Sequence, residues 1–111
     1  MAESQRLIKM EFITAKELFE NKNHFLVLDI RDAGKFRQNT VEGSINIDVY
    51  MDIHEGRFEI VRKKLGVLPK EKEIILVCNT GSTTQPACAI LESMGYKAKV
   101  LELGMVGWNA R

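Results

Sequence analysis

Four consecutive aliphatic residues, Ile74-Ile75-Leu76-Val77, constrain this chain more than any other stretch. Three of the four are β-branched, and the run fits a buried strand. Cys78 stands at its carboxyl end. Asn79, Thr80, Gly81, Ser82, Thr83 and Thr84 follow, all small or polar. From Gln85 onward, Ala87, Ile90, Leu91 and Met94 recur at helical spacing. Pro86 is tolerated in the first turn of that helix, where its missing N–H costs little. A strand, a cysteine, a small-residue loop and a helix, in that order, can make a reactive sulfur. The free N–H groups at a helix start attract anions. A loop curled around Cys78 would turn its own N–H groups onto the sulfur and favour the thiolate, the nucleophilic form. Gly81 can supply the positive φ that a tight cradle needs. The plainer alternative is a buried thiol at a strand end.

The other segments alternate in the same way. Residues 7–12 alternate loosely, as a short edge strand. Thr14-Ala15-Lys16-Glu17 is a capping-box pattern that opens a helix from Ala15 to about Asn21, burying Leu18 and Phe19. Phe25 to Ile30 is a second buried strand, with Asp29 and Arg31 at its end and Asp32 as N-cap of a short helix over Ala33 to Gln38 that buries Phe36. Gly43 to Asp48 reads as a turn and a brief strand. A turn near Met51 to His54 and a helix near Phe58 to Leu65 follow, with Gly66 as C-cap and Pro69 as a stop. Gly95 closes the helix after the cysteine loop, Lys97 to Leu101 reads as a strand, and Gly104 to Trp108 as a glycine-punctuated loop. Strands alternating with helices predict an α/β domain with a mostly parallel sheet. Ligands in such sheets sit at the carboxyl ends of strands, where Asp29, Arg31 and Cys78 all lie.

Composition narrows the functions. At 111 residues, the expectation is a single domain over 1–111. With 16 basic and 15 acidic residues the net charge is +1, which gives no reason to expect nucleic acid or an anionic membrane as partner. No stretch approaches the ~18 apolar residues of a membrane span, and residues 1–10 lack the apolar core of a signal peptide, so a cytoplasmic location is expected. Cys78 and Cys88 do not form a C-x-x-C pair, and without paired histidines they do not make a zinc site. Cys88 is read as a helix core residue, with a resolving thiol as the alternative. His24 and His54 are read as surface residues.

Three segments together resemble the rhodanese-like domain family, over about Glu11 to Trp108. Val27-Leu28-Asp29-Ile30-Arg31, then Phe36 and Val41-Glu42-Gly43-Ser44-Ile45-Asn46-Ile47, resemble its D-x-R … H-I-x-G-A-x-N-I signature. Ile75-Leu76-Val77-Cys78-Asn79-Thr80-Gly81-Ser82-Thr83 resembles its C-x-x-G-x-[RT] loop. Gly95-Tyr96, Val100-Leu101-Glu102-Leu103-Gly104 and Gly107-Trp108 resemble its closing G-[YF]-x-x-V-x-x-L-x-G-G-x-x-x-W motif. The resemblance implies a three-layer α/β/α fold around a mostly parallel sheet. It implies a sulfurtransferase in which Cys78 takes a sulfane sulfur from thiosulfate or a persulfide and passes it to a thiol or cyanide. The backbone of Asn79, Thr80, Gly81, Ser82 and Thr83 would cradle the sulfur, and Asp29 and Arg31 would support the loops. No metal or organic cofactor is implied. The partners would be a small sulfur donor and a thiol acceptor, or a protein persulfide.

Several positions depart from the family pattern. Asn79, Thr80 and Thr83 stand where many members place cationic residues, so the loop itself carries no positive side chain. Asn39 and Thr40 replace a Gly-His pair, and Met105 replaces the second Gly of the closing pair. Phosphatases and arsenate reductases of the same fold use C-x5-R, but the sixth residue after Cys78 is Thr84, and a phosphoryl group would meet no cation there. The remaining alternative is a non-catalytic rhodanese-like binding or regulatory module, against which the presence of Cys78 argues.

Overall fold

The computed structural model describes residues 10–111. The expected edge strand over residues 7–12 lies mostly outside them; its described counterpart is β1, Phe12–Ile13. Helix α1, Ala15–Glu20, opens with the capping box read from the sequence: Thr14 Oγ1 accepts from the Glu17 amide, and Glu17 returns the bond to the Thr14 amide. A 3-10 turn, Lys22–His24, leads into β2, Phe25–Asp29. Then come α2 (Ala33–Gln38), β3 (Ile45–Asn46), α3 (Tyr50–His54), α4 (Phe58–Leu65), β4 (Glu73–Val77), α5 (Thr84–Ser93), β5 (Ala98–Leu101) and α6 (Gly104–Ala110).

All five strands are parallel, in the order β1-β5-β4-β2-β3. Strand alternation sorts each one's side chains to opposite faces. Ile74 and Leu76 of β4 pack with Ile53, Val61, Leu65 and Leu91 of α3, α4 and α5. Ile75 and Val77 face the other way, onto Leu18, Met105 and Trp108 of α1 and α6. The central strand is thus covered on both sides, which is why it is apolar at every position after Glu73. This is the three-layer α/β/α arrangement.

Chain direction places the cleft. From β2 the chain runs outward to β3, and from β4 it runs the opposite way to β5, so the two adjacent strands form a switch point. Their register pairs Asp29 with Val77, setting the ends of both strands side by side.

Three expectations are corrected and one is borne out. Phe19 is 54% exposed rather than buried, because α1 is one short amphipathic turn and Leu18 alone points inward. No residue of α2 is fully buried, and Phe36 is partly exposed rather than sealed in the core. Gly66 caps α4 as expected, with ordinary right-handed geometry, φ −67°. Residues 104–110 are a helix rather than a loop; Met105 and Trp108, three residues apart, bury on one side of it.

Candidate active site

Cys78 follows β4 directly, and its thiol is turned inward at 2% residue exposure. The Gly81 amide donates to Cys78 Sγ at 3.0 Å. Gly81 has φ +101°, the left-handed conformation that lets the loop double back within three residues. Thr84 Oγ1 donates to the Gly81 carbonyl at 2.7 Å and ties the loop to the first residue of α5. The loop carbonyls are held from the other side by the start of α6: the Met105 amide donates to Cys78 O at 2.9 Å and the Val106 amide to Asn79 O at 3.1 Å. Asn79, Thr80 and Ser82 are exposed, whereas Gly81, Thr83 and Thr84 are buried.

The neighbouring loop is built on a buried ion pair. Arg31 Nη2 donates to Asp29 Oδ2 at 2.8 Å and Arg31 Nε to Asp29 Oδ1 at 3.0 Å, a fork matched to the carboxylate. The same guanidinium donates to Asn39 O, and the Arg31 amide donates to Asp29 Oδ1. Thr40, at the family's histidine position, donates its hydroxyl to Asp29 Oδ2 at 2.8 Å. Asn46 Nδ2 bridges the carbonyls of Asp29 and Arg31. Asp29 is fully buried, and its carboxylate oxygens accept from Arg31 and Thr40 rather than from water.

The cleft between the two loops holds a cavity of about 80 Å³ lined by Arg31, Asp32, Lys35, Tyr50 and Asn79. Arg31 is committed to Asp29; Lys35 is exposed at the rim. A cation thus lines this cavity from α2, one turn beyond Arg31. Its signal in the sequence is the D-x-R motif followed by a lysine at helical spacing. Tyr50 and His54 also reach this side, their rings 4.4 Å apart between centroids, and His54 Nε2 lies 3.4 Å from Thr83 Oγ1. His54 is a surface residue, as expected, but it is not isolated. Its link to Thr83 joins residues 29 positions apart and leaves no local mark in the sequence.

Other sequence candidates lie elsewhere. Cys88 is buried in α5 with its thiol toward Ala98 O, and burial, reinforced by Glu92, pushes the thiol up to about 12. His24 sits in the 3-10 turn before β2, at the far end of the sheet. Trp108 packs in the core against Phe19, with ring centroids 6.2 Å apart, and does not line the cavity. Met105 is 2% exposed in the same core. Among the described residues no group of three or more His, Cys, Asp or Glu could hold a metal ion, and no helix is long and apolar enough to cross a membrane.

Comparison with known proteins agrees with this architecture. The family model described as Rhodanese-like domain matches residues 13–111, and the chain belongs to that family. YtwF of Bacillus subtilis (strain 168), named as a sulfurtransferase, is 24% identical over 94 residues, covering 85% of this chain and 82% of YtwF. A sulfurtransferase of Allochromatium vinosum is 24% identical over 85 residues, covering 75% of this chain and 70% of its own length. Among solved structures, a rhodanese-related protein from Thermoplasma volcanium superposes with a TM-score of 0.76 at 25% identity, covering 90% of this chain and 91% of the other. A rhodanese-like domain protein from Staphylococcus aureus gives 0.72 at 20% identity, covering 89% and 91%; at that identity the likeness concerns the fold.

Proposed function

We propose that the protein is a sulfurtransferase that carries sulfane sulfur as a Cys78 persulfide. The observation that supports this most directly is the Gly81 amide donating to Cys78 Sγ at 3.0 Å, an arrangement that stabilises negative charge on sulfur. In the loading step the Cys78 thiolate attacks the outer sulfur of the donor. With thiosulfate, a new Cys78 S–S bond forms, the S–S bond of the donor breaks, and sulfite leaves with the electron pair. In the discharge step an acceptor thiolate attacks the outer sulfur of the persulfide. The bond to Sγ breaks and its electron pair returns to Cys78.

On this reading each part of the site has a role. The backbone of Asn79 to Thr83 cradles the reacting sulfur. Asp29 and Arg31 fix the adjoining loop and keep it against the β4 terminus. Lys35 balances the charge of an anionic donor at the rim of the cavity, which allows thiosulfate although the Cys78 loop is uncharged. The acceptor is a thiol, free or on a protein.

Intact-protein mass after incubation with thiosulfate, beside Cys78→Ser, tests the reading. The expected result is one added sulfur atom on the wild type only, lost again on adding a thiol. Where thiosulfate adds nothing, the incubation is repeated with a persulfide donor. No gain with either donor would overturn the proposal and favour a non-catalytic binding module. Cys88→Ser is expected to load and discharge like the wild type, because a thiol pushed to about 12 stays protonated at neutral pH.

A further inference from the structure

We infer that His54 accepts the proton of the thiol that collects sulfur from Cys78. This rests on the sulfurtransferase reading and adds to it the group that handles the proton. Thiols are mostly protonated near neutral pH, while the attacking species is the thiolate. A base beside the loop therefore speeds discharge. The loop does not contain one: between Val77 and Leu91 the only ionisable side chains are the two cysteines.

Most ionisable groups around the cavity and on α3 are already engaged, Asp48 among them, which accepts from the Tyr50 amide. Asp29 is sealed under Arg31 and Thr40. Asp32 caps α2, accepting from the Lys35 amide at 3.0 Å. Arg31 and Lys35 are cations and cannot take a proton. On α3, Asp52 is held by Lys64 and Arg57, and Glu55 pairs with Arg57. His54 remains. Histidine is the side chain whose ordinary titration falls between pH 5 and 8.

Its position suits the task. His54 Nε2 meets Thr83 Oγ1 at 3.4 Å, on the last residue of the loop before α5. Thr83 is itself 7% exposed, so the contact lies at the edge of the loop's buried part. The Tyr50 ring packs on the imidazole at 4.4 Å, and Tyr50 shares the cavity wall with Asn79, the residue next to Cys78. His54 is open to solvent on its other side, which gives an incoming thiol a route to it. In the step, the acceptor S–H proton moves to the imidazole. The resulting thiolate attacks the outer sulfur, the bond to Sγ breaks, and Cys78 recovers its thiolate. No electrons are gained or lost overall, and the imidazolium returns its proton to water.

The test loads wild type and His54→Ala with sulfur, confirms loading by mass, and follows discharge by rapid quench. Two acceptors are compared: 2-mercaptoethanol, which must lose a proton, and sulfite, which is already largely ionised near neutral pH. His54→Ala is expected to discharge to 2-mercaptoethanol about tenfold or more slowly near neutral pH. The deficit should shrink in alkaline buffer, where the thiol ionises unaided, and should be relieved by added imidazole. Discharge to sulfite should match the wild type. Equal thiol discharge by both proteins, or equal slowing toward both acceptors, overturns the inference while leaving the persulfide carrier standing. Failure of wild type to load from thiosulfate or a persulfide donor overturns both.

Discussion

A Cβ placed on Gly104 would sit 2.4 Å from the Cys78 carbonyl oxygen and 2.8 Å from the Asn79 carbonyl group. Those two carbonyls are the ones that the Met105 and Val106 amides hold, so the first turn of α6 can approach the loop only if position 104 has no side chain. Its φ of +51° adds a second reason. Gly104→Ala should therefore cost more than the ~1–3 kcal/mol of left-handed strain alone, and should impair sulfur uptake by shifting the loop. Gly43→Ala is the control: φ is +87° there, but a Cβ meets nothing within 4 Å, so only the cost of strain should appear and uptake should be kept. Urea denaturation of both variants decides the matter, and equal costs would remove the close approach as a cause. Lys35 admits an equally local test. If it balances an anionic donor, Lys35→Gln should raise the thiosulfate KM about tenfold, the equivalent of one charge-assisted hydrogen bond, with discharge to thiols unchanged. An unchanged KM would take Lys35 out of the site.

Between elements, the Asp29–Arg31 pair welds the end of β2 to the residues after α2. Arg31→Ala would leave Asp29 fully buried without its main partner, which typically costs about 3–5 kcal/mol, and the loop facing Cys78 would loosen with it. Arg31→Lys should rescue little, because a point charge cannot span both carboxylate oxygens and Asn39 O. Chemical denaturation of both variants measures this; full stability in Arg31→Lys would show that charge alone is needed. Elements whose causes are local were legible in the sequence. The Thr14 capping box, the Asp32 cap and the aliphatic run of β4 each carry their reason within a few residues. Helix α6 does not. It has two glycines, and its N-cap, Leu103, sits at φ +60° with no side-chain cap, so nothing local announces a helix. Its first amides are satisfied by the Cys78 loop instead, and Met105 and Trp108 supply the burial. The glycine punctuation read as a loop marks a close approach between two segments.

At the scale of the whole molecule, the candidate site divides in the same way. Cys78, Gly81 and the D-x-R pair were legible because strand ends and small-residue loops carry their chemistry in sequence. The approach of Tyr50 and His54 was not, since it depends on where α3 comes to rest. That placement is set by the α3–α4 packing, with Ile53, Val61 and Leu65 in one core and Asp52 joined to Lys64 at 2.8 Å and to Arg57 at 3.0 Å. The Lys64 hydrogen bond, then that of Arg57, holds the Asp52 carboxyl below its ordinary value against the opposing effect of desolvation. A carboxyl with a lower value in the folded chain is protonated first in the unfolded one. It stabilises the fold above the unfolded value, and the stabilisation fades as pH falls through the folded value. Asp52→Asn should therefore be less stable than the wild type at neutral pH, and the gap should close on acidification. The wild type's own acid sensitivity should persist in part, since Thr14 and the Lys35 amide hold Glu17 and Asp32 low in the same way. Urea denaturation across a pH series, at low and high salt, measures the gap. A gap independent of both pH and salt would assign Asp52 to packing rather than charge. If the ion pairs also fix α3 against the Cys78 loop, the same variant at neutral pH should discharge to thiols more slowly while keeping sulfur loading, because in the proposed mechanism His54 acts only in discharge.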